Sequence, residues 1–158
     1  MKIRFIIPGK DKKDFLSLGY KDYLTKISKY SKVSIEYVYE KSYLSIPSEK
    51  EIEDGLIKEG ENILKLITDK EFVFLIDIHS SELDTLSFAR LLKDTYSING
   101  NIVFVFGSSY GLSPLLRKRA NYSLSLSRLT FTHYEALLIT LEQVYRAFKI
   151  NNNEVYDK

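Results

Sequence analysis

The sequence predicts an α/β fold, a mostly parallel sheet held between helices. Short runs of β-branched and aromatic residues alternate along the whole chain with longer stretches at helical spacing, the βαβ signature. Two of those runs, Phe72 to Ile78 and Asn101 to Phe106, are almost uninterrupted apolar text, which suits strands covered on both faces. The second run ends at Gly107, where a backbone without Cβ can turn sharply and approach a ligand.

Taken in order, Lys2 to Ile7 reads as the first strand. Phe15 to Ile27 reads as a helix, with Leu16, Tyr20, Tyr23 and Ile27 at helical spacing. Val33 to Tyr39 alternates like a strand. Pro47 then precedes Ser48 and Glu51, a capping-box pair that starts a helix with Ile52, Leu56, Ile63 and Ile67 on one face. Gly60 falls on the same stripe. Glycine inside a helix costs about 1 kcal/mol relative to alanine, so its presence predicts a close approach by another helix. Phe72 to Ile78 is the next strand, apolar apart from Asp77, and a helix follows from Asp84 to about Asp94. After the strand Asn101 to Phe106, Ser113 and Pro114 form a cap and first-turn pair for a short helix. Tyr122 to Leu126 is the last strand, and His133 to Ile150 the terminal helix, with Leu137, Leu141, Val144 and Phe148 on one face. In such a sheet ligands bind at the carboxyl ends of the strands. Three ends matter here: Ile76 to Ser80, Gly107 to Gly111 and Leu126 to Thr132.

The 158 residues suffice for one core, so the whole span 1–158 is expected to be a single domain. With 44% hydrophobic and 28% charged residues the composition is that of a soluble globular protein. Ile3 to Ile7 is too short and too close to charge for a signal sequence or membrane span. The chain has no cysteine, which excludes disulfides, thiolate metal sites and a cysteine nucleophile, and its two histidines are far apart, so no metal is expected. These features favour the cytoplasm. A net charge of +2 does not by itself announce a nucleic-acid binder, so any basic face must come from local clustering.

The glycine turn, the text SLSRLTFTH from Ser125 to His133, LEQVYRAFKI from Leu141 to Ile150 and the ending Tyr156-Asp157-Lys158 together resemble the RlmH family of bacterial methyltransferases, part of the SPOUT class. Pro8 to Lys10, Asp22-Tyr23 and Lys58 to Gly60 extend the resemblance over the whole chain. It implies a C-terminal trefoil knot and S-adenosyl-L-methionine as cofactor. The implied activity is methylation of N3 of a pseudouridine in 23S ribosomal RNA, within the large subunit or the whole ribosome. It further implies a homodimer in which the cofactor of one subunit faces the tail of the other, its interface expected to bury the stripe of the terminal helix. Carried over by position, the cofactor contacts become Ile76, Gly107, Leu126, Ser127, Arg128, Leu129, Thr130 and Phe131, held largely through main-chain groups. The same matching gives His133, Arg146 and Tyr156 to the substrate and catalytic site.

Read from the residues alone, Glu142 and Arg146 are four apart and form an ordinary helix ion pair, and a histidine at a helix start is more often structural. His79 is taken as incidental. Arg117, Lys118, Arg119 and Arg128 bring positive charge close to the loops, either for phosphate or as an exposed helix face. No carboxylate or histidine declares itself as the base that N3 of a pseudouridine requires. The chain also departs from the family pattern. Ser108 stands for the second glycine of the turn, Tyr110 is bulky for its place, and Ser80 and Ser81 stand where glycine and lysine are common. Thr132 replaces a proline, Leu137 an arginine, and Asp157 the histidine of the common ending. Beside the active enzyme stand a diverged, catalytically weak relative that binds ribosomal RNA or the ribosome, and an unrelated nucleotide-binding α/β module.

Overall fold

The computed structural model describes residues 1–156, so the expectation attached to Asp157 lies outside the described residues. Five strands, β1 (Lys2–Pro8), β2 (Lys32–Val38), β3 (Phe72–Ile76), β4 (Asn101–Phe106) and β5 (Tyr122–Leu124), form one sheet in the order β2-β1-β4-β3-β5. Every pairing is parallel, with Phe5 opposite Phe104 and Phe74 opposite Phe104 in register. Parallel neighbours need crossovers, and helices α1 (Phe15–Ile27), α2 (Glu49–Leu64), α3 (Thr85–Asn99), α4 (Pro114–Arg119) and α5 (His133–Asn151) complete the alternation.

Local chemistry sets the helix starts. The Asp14 carboxylate accepts from the Leu16 and Ser17 amides, 3.1 and 3.3 Å away. At α2, Glu51 N–H donates to Ser48 Oγ and Ser48 N–H donates to Glu51 Oε1, both at 3.2 Å, the capping box expected from the spacing. Helix α3 runs a turn beyond the expected Asp94. Tyr96 continues its buried stripe, and the chain leaves the helix only at Gly100, in the left-handed region at φ 68°. Strands β3 and β5 are two residues shorter than expected, ending at Ile76 and Leu124, because pairing stops before the apolar text does. Ile67 likewise lies beyond α2, and Tyr39 beyond β2.

Alternating side chains of the central strands feed two cores, one on each face. Ile3, Phe5, Phe74, Ile102, Phe104 and Phe106 face α1, α3 and α5. Ile6, Val73, Leu75, Val103 and Val105 face Ile63 of α2 and Leu116 of α4. At the centre of the first core Phe104 stacks between Phe5 and Phe74, with centroids 5.2 and 4.9 Å away and planes within 10° and 11°. On the second face α2 meets α4 at Gly60, where a Cβ would lie 2.6 Å from Ser113 Cβ, so the glycine serves close packing as expected. Among the described residues no helix is long and apolar enough to cross a membrane.

Helix α5 lies against both α1 and α3. Its stripe, Leu137, Leu141, Val144 and Phe148, is buried within its own chain. This corrects the expectation that the stripe forms a subunit interface: those side chains are already covered. On its other side Ile139, Gln143 and Arg146 are only half-buried.

Replacing the middle ring of the stack leaves a cavity with no mobile neighbour to fill it. Phe104→Ala should therefore lower unfolding free energy by about 3–5 kcal/mol in urea titration, with little change in slope. A loss under about 1 kcal/mol would mean that the sheet centre is not packed as described.

Candidate functional site

The carboxyl ends of the strands open into one large cavity of about 1040 Å³, at the upper end of the range for ligand sites. Sheet topology explains its place. From β1 the chain moves outward to β2, whereas from β4 it moves the other way to β5, so the connections diverge at the β1–β4 seam and leave a crevice. Gly9 after β1 and Gly107 after β4 both lie on its wall.

The turn after β4 needs its glycine. A Cβ on Gly107 would stand 3.0 Å from the Gly111 carbonyl carbon, and the turn is closed by paired backbone bonds between Ser108 and Gly111, both 3.0 Å. Beyond β5 the chain runs beside the loop that follows β3. Ser125 N–H donates to the Ser81 carbonyl at 3.0 Å, and Asp77 N–H to the Leu124 carbonyl at 3.0 Å. The segment is then shaped locally, Ser125 Oγ donating to the Ser127 carbonyl and Leu129 N–H to Ser127 Oγ. Ile76, Gly107, Leu126, Ser127, Leu129, Thr130 and Phe131 all line the cavity, so seven of the eight expected cofactor positions converge. Arg128 is exposed and not on the wall. The walls combine apolar side chains with open strand-end main chain. That donor set fits a nucleoside, whose faces want apolar contact and whose edges want backbone N–H and C=O groups.

His133, the first residue of α5, is also on the wall. Its side chain is only 10% exposed, and Nε2 stands 3.4 Å from Glu40 Oε2 without hydrogen-bonding geometry. Burial holds the imidazole below its usual pKa, opposed by the Glu40 charge and a hydrogen bond with the Pro8 backbone, so the ring is neutral near pH 7. Glu40 Oε1 accepts from Ser109 N–H and Ser109 Oγ at 3.2 and 3.1 Å, tying the end of β2 to the glycine turn. Behind them Glu59 of α2 is buried. Desolvation, reinforced by Glu40 and opposed by a hydrogen bond from Ser108, pushes its carboxyl up to about 7. Ser109 of the glycine turn is thus held by the Glu40 carboxylate.

Asp77, 7% exposed, accepts from Arg117 Nε at 3.1 Å and caps the His79 amide at 3.0 Å. Arg117 therefore serves a wall carboxylate, and Arg119 donates to the Thr68 and Glu71 carbonyls, so this part of the basic run is structural. His79 is exposed on the cavity wall rather than remote from it. Residues 9–12 and 39–42 were not among the expected strand ends, yet Gly9, Lys10, Lys12, Tyr39 and Glu40 line the cavity. Parallel strands point the same way, so the ends of β1 and β2 could have been included.

Arg146 and Tyr156 lie elsewhere. Arg146 is thirteen residues beyond His133 on one helix, about 20 Å along its axis at 1.5 Å per residue. There Glu142 Oε1 accepts from Arg146 Nε at 3.0 Å, Arg146 NH2 at 2.6 Å and Tyr156 OH at 2.7 Å. The guanidinium stacks on the Tyr156 ring at 3.9 Å. Burial first, then Glu142, pushes the Tyr156 pKa up, so its hydroxyl stays neutral. Leu137 is fully buried in the core, so in this chain that position is a packing residue facing away from the cavity. Among the described residues no three His, Asp or Glu side chains converge to hold a metal.

Fold and cavity together define an α/β protein with a large ligand cavity at its topological switch point. A family model described as "Predicted SPOUT methyltransferase" matches residues 1–157. The chain belongs to the SPOUT methyltransferase family. It is 38% identical over 157 residues to the ribosomal RNA large subunit methyltransferase H of Pseudothermotoga lettingae, with 99% of each chain covered. It is 37% identical over 159 residues to the protein of the same name from Dictyoglomus thermophilum, again with 99% covered on both sides. With that of Clostridium tetani it shares 38% over 160 residues and the full length of both. Membership implies the trefoil knot.

Because the Glu59 carboxyl is held well above its ordinary 4.5, the folded protein binds a proton there that the unfolded chain has released. The stability that Glu59 contributes therefore falls as pH rises from about 4.5 to about 7 and levels off above. Glu59→Gln should accordingly melt higher than the parent at pH 8, and this advantage should vanish near pH 4.5. An advantage independent of pH would show that Glu59 does not titrate in this window.

Proposed function

We propose that the protein methylates N3 of a pseudouridine in 23S ribosomal RNA, within the large subunit or whole ribosome, using S-adenosyl-L-methionine. The observation that carries the reading is the convergence of the strand-end glycine turn, Ile76 and residues 126–131 on one cavity in a chain of this family. The names of its relatives supply ribosomal RNA as the substrate class. Main-chain groups of Leu126 to Phe131, with Ile76 and Gly107, would hold the adenosine, and Leu126, Leu129 and Phe131 exclude water from it. When bound, the cofactor supplies an electrophilic methyl group on a sulfonium. Alignment then provides much of the rate, since the displacement needs its two centres held in line.

The protein's remaining part is to favour the anionic form of the imide. Arg146 is a permanent cation suited to a developing negative oxygen, and the neutral Tyr156 hydroxyl and ring can orient the base. Some 20 Å of rigid helix separates them from His133, so they cannot act at their own chain's cavity. A homodimer resolves this: the Arg146–Tyr156 end of one subunit completes the cavity of its partner. The half-buried Ile139, Gln143 and Arg146 side of α5 is available for that contact.

Two outcomes follow. Light scattering should give twice the 18.4 kDa chain mass at micromolar concentration, and a mass of one chain would defeat the shared site. Arg146→Ala should keep the cofactor affinity and cost only about 1 kcal/mol of stability, as for a half-buried helix pair near the surface. Methyl transfer to ribosomes should nevertheless fall about tenfold or more. Mixed after unfolding and refolding with Gly107→Val, which blocks the turn, it should recover about one quarter of parental activity, because half of the dimers then hold one intact site. No recovery from the mixture would put both residues in one chain's site.

A further inference from the structure

The charges on the cavity wall are not all paired. Lys10, Lys12 and Arg117 line it together with two carboxylates, Asp77 and Glu40. Asp77 is neutralised by Arg117 Nε at 3.1 Å. Glu40 has no such partner: its side chain is only 21% exposed, and among the described residues no lysine or arginine nitrogen comes within 4.0 Å of it. What it has is two neutral donors from Ser109 and the imidazole of His133 at 3.4 Å. Those do not cancel a charge. The imidazole is kept neutral by its burial, and the Lys12 ammonium, seated 4.5 Å over the Tyr134 ring, further disfavours the His133 proton. Behind Glu40 lies a second carboxyl, Glu59, held protonated in part by burial and by the Glu40 charge itself.

A half-buried anion without a counter-ion is costly, and the cost is recovered when a cation arrives with a ligand. The two wall carboxylates face the same cavity, yet only one has been given an arginine. The open valence of a carboxylate also fits: it can accept about four hydrogen bonds, and Ser109 takes one oxygen only. The neighbouring His133 Nε2 is buried with no hydrogen-bond partner, a second group on that side left unpaired.

The geometry points to Glu40 as the group that reads the positive charge of the methyl donor, through its sulfonium or its ammonium. This rests on the methyl-donor reading above and deepens it. The Ser109 bonds hold the carboxylate at the wall, and the end of β2 brings it opposite the turn after β4. Transfer of the methyl group removes the sulfonium charge, so an anion placed against that sulfur would favour donor over spent product.

The test is calorimetry with three ligands on the full chain and on Glu40→Gln. S-Adenosyl-L-methionine carries both cations, S-adenosylhomocysteine only the ammonium, and 5′-deoxy-5′-methylthioadenosine neither. Glutamine retains an oxygen for Ser109, and unchanged methylthioadenosine binding reports an intact site. Glu40→Gln should weaken S-adenosyl-L-methionine about tenfold or more while changing methylthioadenosine less than about twofold. A loss shared by S-adenosylhomocysteine assigns the contact to the ammonium, and a loss confined to S-adenosyl-L-methionine assigns it to the sulfonium. Either upholds the inference. Equal weakening of all three ligands, or none for S-adenosyl-L-methionine, overturns it. So does the same selective loss in Ser109→Ala, which keeps the charge and removes one tether. If the unaltered chain binds none of the three, the methyl-donor reading falls and this inference with it.

Discussion

Everything in the site depends on how rigidly α5 is held. The helix begins at the cavity with His133 and ends at Asn151, and its buried stripe is spent on contacts with α1 and α3 within the chain. A helix packed on two sides cannot bend to bring Arg146 back to His133, so the separation of the two candidate groups is fixed by geometry rather than by a movable loop. Any chemistry that needs both must join two chains.

The same rigidity explains the division of labour around the cavity. The sheet centre, locked by the Phe5–Phe104–Phe74 stack, sets the height at which β1, β3 and β4 end. Backbone turns leave from those ends, and the carboxylates of Glu40 and Asp77 fasten two of them. The serines at 108 and 109 therefore sit in a turn whose shape is kept by side-chain acceptors as well as by Gly107 and Gly111.

Much of this was legible in the sequence. The elements announced themselves through periodicity, the α2 capping box and the Gly107 turn, because each is a local matter of spacing and backbone conformation. Element ends were less legible: apolar residues continue past Ile76 and Leu124, whereas pairing depends on neighbours the sequence does not order. Glu40 and the loop after β1 lie at strand ends that a parallel sheet already brings to the ligand side, but only the strand order sets them beside β4. Glu59 reads as one more charge on a polar helix, and nothing in the text reports that α4 and the turn bury it. Conversely, the Glu142–Arg146 spacing correctly named a helix pair but not that Tyr156 shares the same oxygen.

We propose that this cavity moves a methyl group onto one base of ribosomal RNA. It is tested most directly by incubating the protein and S-adenosyl-L-methionine with ribosomes from a strain lacking the gene, then locating new methyl groups by mass spectrometry of nuclease fragments. The account predicts a single added methyl on N3 of one pseudouridine in 23S RNA, dependent on the protein. Cofactor-dependent methylation of a different nucleotide, or none on ribosomes while the cofactor binds, would contradict it.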